Sequence, residues 1–282
     1  MPNSHVSRTT PEAQQESFWS PPGGTLGELL GLTEARIELL LPKRRELEHA
    51  AAAPAPPSFI DALRDTTVCV IAEVKRRSPS RGDLDPALHA GNRAAAYVRG
   101  GAAAISVLTE PARFGGSEED LREVVAAARV PVLRKDFIVH EVQVLETRAM
   151  GASAVLLIAR ALAPSTLDML VRAARAHAIE PLVEVRSPAE LERAVRAGAA
   201  VIGVNARDLE TLVVDDSVPR ALLGHVPREA IAIGESGIRD RAAVEALALA
   251  GADAVLVGSA LSVARDPEQA VRDLAGVPRA RR

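Results

Sequence analysis

The chain has 282 residues, of which 48% are hydrophobic, 25% charged and only 2% aromatic, and its formal net charge at pH 7 is −3. A chain of this length and apolar content can bury a large core, which excludes a disordered or fibrous protein. The negative charge and the scarcity of aromatic residues argue against nucleic-acid binding. No apolar stretch approaches the roughly 18 residues of a membrane span, so no membrane partner is expected.

The single cysteine, Cys69, lies in the apolar run 68–71 and cannot form an internal disulfide. We expect it to be a buried thiol in a reducing compartment. The N-terminus shows no secretory signal, so the expected location is the cytoplasm. The six histidines have no metal-ligand spacing, so no metal site is predicted.

Residues 1–23 are rich in Ser, Pro, Gln and Gly, a composition that predicts a disordered tail. Leucines at helical spacing follow, interrupted by Pro42, and predict a helical extension over residues 24–65. We expect residues 24–282 to form a single domain that includes this extension.

After the extension, short β-branched runs alternate with helical stretches. The runs are nearly continuous in apolar residues, as expected for strands that are buried on both faces. Eight runs can be counted: Val68–Val74, Ala103–Leu108, Val130–Leu133, Ala154–Ile158, Pro181–Val185, Ala200–Val204, Ile231–Gly234 and Ala254–Val257.

An internal repeat sharpens this pattern. A Gly-Ala pair introduces every second strand, at Gly101, Gly151, Gly198 and Gly251. A glycine here can end a helix in the left-handed conformation, and the spacing is that of a βαβα unit. Four such units predict a (βα)8 TIM barrel. The alternative, an open doubly wound sheet, is disfavoured because no GxGxxG follows the first strand.

In a TIM barrel the active site lies at the C-terminal strand ends. Lysine and glutamate residues occupy these positions on four strands: Glu73 and Lys75, Lys135, Glu184, and Glu235. They could form a structural salt-bridge network. However, only three of the 34 basic residues are lysines, and two of these three stand at strand ends. Arginine would serve a salt bridge but cannot release a proton, so the pattern favours proton transfer.

Small-residue turns follow the last two strands. They are Gly234-Glu235-Ser236-Gly237-Ile238 and Gly258-Ser259-Ala260-Leu261. Each leads towards a helix, and turns of this kind at strands 7 and 8 of a TIM barrel are typical of a phosphate site.

Several motifs together resemble the indole-3-glycerol phosphate synthase family, in the family's order on the expected strands. The resemblance extends from about Leu26 to the C-terminal helix. The motifs are residues 71–80 (IAEVKRRSPS), 106–110 (SVLTE), 114–117 (FGGS), 131–137 (PVLRKDF), 182–185 (LVEV), 203–209 (GVNARDL) and 235–238 (ESGI).

The resemblance implies an enzyme of tryptophan biosynthesis that needs no cofactor. It would convert 1-(2-carboxyphenylamino)-1-deoxyribulose 5-phosphate into indole-3-glycerol phosphate, carbon dioxide and water. By the family's pattern, Lys135 is an acid in the condensation and Glu184 the base. Lys75 holds the carboxylate, and the division of acid roles between the two lysines stays open.

The resemblance also implies supporting roles. Glu73, Asn205 and Glu235 would position the catalytic groups and tune their pKa values. Phosphate binding falls to Ser78, Gly237, Gly258 and Ser259. An apolar wall for the benzene ring is formed by Phe114, Phe137 and Leu156, and further substrate contacts are expected from Arg207 and Ser236. From general acid chemistry, desolvation beside other cations is expected to lower the pKa of Lys135 towards neutrality.

Other functions remain open on the residues alone. A sugar-phosphate isomerase would also use a phosphate site together with a base. A Schiff-base aldolase would use a phosphate site together with a lysine. A catalytically inactive scaffold is the third alternative, and the intact lysine and glutamate set argues against it. The expected partner is a small phosphorylated substrate, and the expected assembly is a monomer or weak homodimer.

Overall fold

The computed structural model describes residues 19–280 and residue 282. Its eight main strands are all parallel and close into a barrel in which β1 pairs with both β2 and β8. This arrangement confirms the predicted TIM barrel. The strands are β1 (Cys69–Val74), β2 (Ala104–Leu108), β3 (Val132–Lys135), β4 (Ala154–Ile158), β5 (Glu180–Val185), β6 (Val201–Asn205), β7 (Ile231–Glu235) and β8 (Ala254–Val257).

Helices precede the barrel and alternate with its strands. They are α1 (Gly24–Leu40), α2 (Arg44–Ala51), α3 (Phe59–Ala62), α4 (Ala90–Arg99), α5 (Pro111–Phe114), α6 (Glu118–Ala127), α7 (Glu141–Ala149), α8 (Pro164–Ala176), α9 (Pro188–Arg196), α10 (Ser217–Leu222), α11 (Arg241–Leu249), α12 (Ser259–Ser262) and α13 (Pro267–Leu274). Short 3-10 turns lie at Leu41–Lys43, Ala159–Ala161 and Leu223–His225. No helix in this part of the chain is both long and apolar enough to cross a bilayer.

The strands carry the core. Nearly every strand residue is buried, because one face points into the barrel and the other packs under the helices. The glycines of the Gly-Ala repeat all have positive φ, which confirms the predicted left-handed turns between helix and strand. Cys69 is a free, buried thiol, and burial raises its pKa to about 11.

Strand β3 departs most from its predicted bounds. It extends to Lys135, whereas the apolar run ends at Leu133. The reason is Arg134, whose side chain is fully buried and hydrogen-bonded to Thr109, Thr147 and the carbonyl of Gln143. A buried guanidinium therefore continues the strand where the sequence pattern breaks off.

The N-terminal extension lies against the barrel. Leu26 and Leu29 of α1 are buried, and the first turn of α1 bonds to the loop after β6, with the Thr25 amide donating to the Glu210 carbonyl at 3.1 Å. Residues 1–18 of the predicted tail lie outside the described residues. The remaining residues, 19–23, contact the barrel instead of extending freely. The indole of Trp19 donates to the Arg160 carbonyl at 3.2 Å, and the Gly23 amide donates to Glu210.

Candidate active site

A cavity of about 540 Å³ opens at the C-terminal ends of the strands. All the residues predicted from the sequence line it except Ser78: Glu73, Lys75, Phe114, Lys135, Phe137, Leu156, Glu184, Asn205, Arg207, Glu235, Ser236, Gly237, Gly258 and Ser259. Ser78 lines a smaller adjoining pocket, together with Lys75, Phe114 and Ser259. The structure therefore brings the predicted set together at one end of the barrel.

Lys135 forms the centre of a buried charge cluster. Its Nζ lies 3.1 Å from Oε2 of Glu184 and 3.3 Å from Oε2 of Glu235. The three residues come from β3, β5 and β7, whose side chains converge on the barrel axis. Both glutamates are almost fully buried. This arrangement places one cation between two carboxyl groups away from water.

Two pKa values in this cluster are strongly perturbed. Burial alone would lower the pKa of Lys135, but Glu235, Glu184 and Glu73 outweigh it and raise the pKa above its usual value. The expected lowering is therefore wrong for the free enzyme, because Lys135 faces carboxylates and not other cations. Burial raises the pKa of Glu235 to about 8, although Lys135 opposes the shift. Burial therefore favours the protonated form of Glu235 more than that of an exposed carboxyl, and the ammonium group of Lys135 opposes this.

The Glu235 carboxyl also has an unused atom. Its Oε1 is buried and makes no hydrogen bond within the described residues. A Cβ at Gly203 of β6 would collide with this oxygen, so the glycine makes room for the carboxyl. A buried polar atom without a partner is destabilising, which is typical of a group reserved for a ligand.

A second lysine–carboxylate pair lies at the end of β1. Nζ of Lys75 is 2.6 Å from Oε1 of Glu73, and both side chains are largely buried. A Cβ at Gly258 would collide with Oε1 of Glu73 and lie 2.7 Å from Nζ of Lys75. Gly258 therefore opens space for this pair as well as contributing to the turn after β8.

The turn after β7 has strained backbone. Ser236 and Gly237 both have positive φ, 65° and 75°. A Cβ at Gly237 would collide with the Asp216 carboxylate, so a larger residue would have to displace that side chain as well as adopt a positive φ. Ser259 and Ala260 in the first turn of α12 line the cavity beside it. The two turns together offer backbone amides to an anion.

One wall of the cavity is apolar. The rings of Phe114 and Phe137 have centroids 6.4 Å apart and planes tilted by 39°. Leu156 of β4 and Leu108 of β2 complete the wall. On the opposite side, the Asn205 carboxamide accepts from the Arg207 amide at 2.9 Å and shapes the turn after β6.

Sequence reasoning missed some of the lining residues. Arg81, Asp136 and Arg239 also face the cavity. Arg81 lies directly after the IAEVKRRSPS motif and Arg239 directly after ESGI. Their position next to these motifs is a signal that could have identified them. Within residues 19–280 and 282, no group of His, Cys, Asp and Glu side chains could hold a metal ion.

These features define a class: a TIM-barrel enzyme with an acid–base site of lysines and glutamates beside an anion-binding rim. Solved structures agree with the fold. A 3-hexulose-6-phosphate synthase from Salmonella typhimurium aligns with a TM-score of 0.60 at 20% identity, covering 73% of this chain and 96% of that one. A thiamine phosphate pyrophosphorylase from Pyrococcus furiosus aligns with a TM-score of 0.55 at 18% identity, covering 75% and 95%.

Sequence comparison defines the family. The family model for indole-3-glycerol phosphate synthase matches residues 33–274. The chain is 47% identical to indole-3-glycerol phosphate synthase 2 of Streptomyces coelicolor over 89% of this chain and 99% of the relative. It is 50% identical to the Mycolicibacterium smegmatis synthase over 80% and 84%. The chain therefore belongs to the indole-3-glycerol phosphate synthase family of carboxy-lyases, as the sequence motifs predicted.

Proposed function

We propose that the cavity at the barrel mouth converts 1-(2-carboxyphenylamino)-1-deoxyribulose 5-phosphate into indole-3-glycerol phosphate, carbon dioxide and water. The observation that carries this proposal is the pair of lysine–carboxylate groups facing one cavity with an apolar wall. The reaction needs two proton donors and a base, and the cavity offers these groups.

Ring closure is the first step. The aromatic carbon that bears the carboxylate attacks the ketone carbon, and the ketone oxygen takes a proton as its charge develops. Lys135 is the proposed donor, because its neighbours keep its ammonium group charged. Phe114 and Phe137 are proposed to hold the benzene ring against the apolar wall.

Decarboxylation follows when the electrons of the bond to the carboxylate return to the ring system. Lys75 is proposed to hold that carboxylate until it leaves, with Glu73 at 2.6 Å fixing the position of the ammonium group. Because this interaction is with the ground-state carboxylate, it serves mainly to orient the substrate.

Dehydration ends the reaction. The hydroxyl formed from the ketone leaves as water after taking a proton, and a base removes a proton from the methylene carbon between this centre and the nitrogen, which forms the double bond of the indole ring. Glu184 is the proposed base, and Lys75 is the proposed second acid. Glu235 and Asn205 are proposed to hold these groups in position, with Glu235 at 3.3 Å from Nζ of Lys135.

The phosphate is proposed to bind the turns after β7 and β8, at Ser236, Gly237, Gly258 and Ser259, with Ser78 and Arg207 closing the adjoining pocket. Inorganic phosphate is therefore expected to compete with the substrate. The Gly258→Val variant should raise KM strongly, and its Cβ should also lower kcat by displacing Glu73 and Lys75. An unchanged KM in this variant would contradict the assignment.

A Schiff-base aldolase is less well supported. Imine formation requires a neutral amine, whereas carboxylates hold Lys135 in its charged form. Trapping with borohydride in the presence of substrate should consequently leave the protein unmodified.

The direct experiment is turnover of the carboxyphenylamino deoxyribulose phosphate, followed by the appearance of indole absorbance. Absence of product under conditions where the protein is folded would refute the proposal. We also propose a cytoplasmic location, which the free thiol of Cys69 fits, and a monomeric or weakly dimeric assembly, which sedimentation would test.

A further inference from the structure

A buried carboxylate stands between two of the cavity residues. Asp136 follows Lys135 and precedes Phe137, and its side chain is fully buried. The Thr109 hydroxyl donates to its Oδ2 at 2.5 Å and the Phe137 amide donates to its Oδ1 at 2.8 Å. Its contacts therefore determine the path of the backbone that carries Lys135 and Phe137.

A further partner of this carboxylate comes from the N-terminal extension. Arg36 of α1 donates from Nη1 to Oδ1 of Asp136 at 2.9 Å and from Nη2 to Oδ2 at 2.7 Å. This fork-to-fork geometry is the strongest arrangement available to a guanidinium and a carboxylate. Arg36 itself lines neither the main cavity nor the adjoining pocket.

We propose that Arg36 is a positioning residue: its paired hydrogen bonds to Asp136 fix the segment from Lys135 to Phe137 and thereby place the Lys135 ammonium group and the Phe137 ring for the reaction. This inference rests on the proposed function, in which both side chains act on the substrate.

Charge balance explains why Arg36 is needed beside Arg134. Arg134 also reaches Asp136, at 3.2 Å, but it is closer to Glu146, at 2.7 Å. Arg36 and Arg134 therefore face the two anions Asp136 and Glu146, and Glu110 adds further negative charge near Arg36. Without Arg36, one negative charge remains uncompensated on the wall of a cavity that is proposed to accept an anionic substrate.

Geometry explains why a small movement would matter. The Lys135 ammonium group spans two carboxyl groups from different strands, at 3.1 and 3.3 Å. A displacement of about 1 Å in a catalytic group can reduce a rate by about 10²-fold. A loosened segment would therefore reduce turnover even in a well-folded protein.

The test uses two variants of Arg36 and one control in the full chain. Arg36→Gln should lower kcat by about tenfold and raise KM by about threefold, since both positioning and charge are lost. Arg36→Lys keeps the charge but not the fork, so KM should return towards the parent value while kcat stays low. Arg44→Gln removes another ion pair between the extension and the barrel, Arg44 with Glu141, whose side chains are both about 45% exposed. It should leave both constants unchanged.

Amide hydrogen exchange supplies a readout that does not depend on turnover. The Thr109 amide bonds to the Lys135 carbonyl at 3.2 Å, and the Phe137 amide bonds to Asp136. Peptides covering these amides should exchange about threefold faster or more in Arg36→Gln, but not in Arg44→Gln. Unchanged exchange, unchanged kinetic constants, or an equal loss in Arg44→Gln would overturn the positioning role. A parent enzyme without turnover would refute the proposed function alone, because the exchange result still decides whether Arg36 holds the segment.

Discussion

The two ends of the barrel both contain buried carboxylates paired with basic side chains, but the buried glutamates at the mouth pair with lysines. Glu73, Glu184 and Glu235 pair with Lys75 and Lys135, whereas arginines pair with Asp136 beside them. At the opposite end, Asp253 directly precedes β8 and pairs with Arg279 and Arg282. Because only three of the 34 basic residues are lysines, the contrast follows chemical demand and not composition.

The ends also differ in how completely their polar atoms are used. Arg282 donates to three backbone carbonyls, and Asp253 accepts from the Ala232 amide at 2.8 Å in addition to its two arginines. At the mouth, Oε1 of Glu235 has no partner within the described residues. A saturated network stabilises the fold, whereas an unsaturated one beside a cavity can receive a ligand.

The largest expected effect is at Lys135. Lys135→Arg keeps the charge and can still pair with Glu184, but a guanidinium cannot give up a proton. We expect kcat to fall by about 10²-fold or more, the usual scale for losing a general acid. The urea midpoint should stay close to that of the parent.

The matched control is the reverse substitution, arginine to lysine, at the opposite end of the barrel. Arg279→Lys should leave kcat unchanged, since Arg279 acts only through hydrogen bonds to Asp253 and to the carbonyl of Asp65. Turnover of Lys135→Arg within a factor of about three of the parent, far from the scale of a lost acid, would contradict its catalytic role.

The next effect is the pH dependence of stability that Glu235 introduces. Burial raises its pKa from 4.5 to about 8, so between these values the folded chain holds a proton that the unfolded chain has released. Stability from this group is complete below pH 4.5 and is lost as the pH rises through about 8. Glu235→Gln does not titrate and should remove this loss.

The measurement is the free energy of unfolding of parent and Glu235→Gln from pH 5 to 9. The free energy of unfolding of the variant minus that of the parent should increase as the pH rises. The limiting slope is about 1.4 kcal/mol per pH unit for one proton. A constant difference would show that Glu235 is already ionised in the folded protein.

A smaller effect is expected for Asp253→Asn. This change leaves two arginines without their counter-charge at a site where Arg282 is nearly buried. We expect the free energy of unfolding to fall by about 2 kcal/mol, below the range for fully buried pairs because Arg279 is partly exposed. Substrate turnover should be unchanged when measured well below the melting temperature. Loss of kcat would show that the two ends are coupled.

The fold could be predicted from the sequence because its signals are local. Continuous apolar runs and a glycine repeat identify the eight strands. The side chains at the mouth belong to residues at or directly after the C-terminal ends of these strands, so they can be identified from the strand bounds. For this reason Lys75, Lys135, Glu184 and Glu235 could all be assigned to the mouth before their distances were known.

The rest depends on contacts between distant parts of the chain. Arg36 and Asp136 are 100 residues apart, and in an arginine-rich sequence neither stands out. Likewise, the sign of the pKa shift at Lys135 depends on which charges face it across the barrel. The start of the first helix agrees with the predicted bound at residue 24, but the partner of its first turn was hidden: the Gly23 and Thr25 amides donate to Glu210, which lies far away in sequence.

The smallest expected effect concerns Arg160. It tests whether a residue near the mouth serves stability when its hydrogen-bond donors have protein partners. Arg160 lies in the loop after β4 near the mouth, and it donates to Glu210 and to the carbonyl of Ser20, as the arginines at the opposite end of the barrel donate to a carboxylate and to carbonyls. We therefore expect its N-terminal contacts to serve stability and not catalysis.

Deletion of residues 1–18 should change neither kcat nor the melting temperature, since this Ser-, Pro- and Gln-rich segment is expected to bury little surface. Deletion of residues 1–20 also removes the Trp19 and Ser20 hydrogen bonds and should lower the free energy of unfolding by about 1 kcal/mol, with kcat unchanged. A drop in kcat in the longer deletion alone would mean that Trp19 and Ser20 hold the rim of the active site in place, and the distinction between saturated and unsaturated networks would then fail at the mouth.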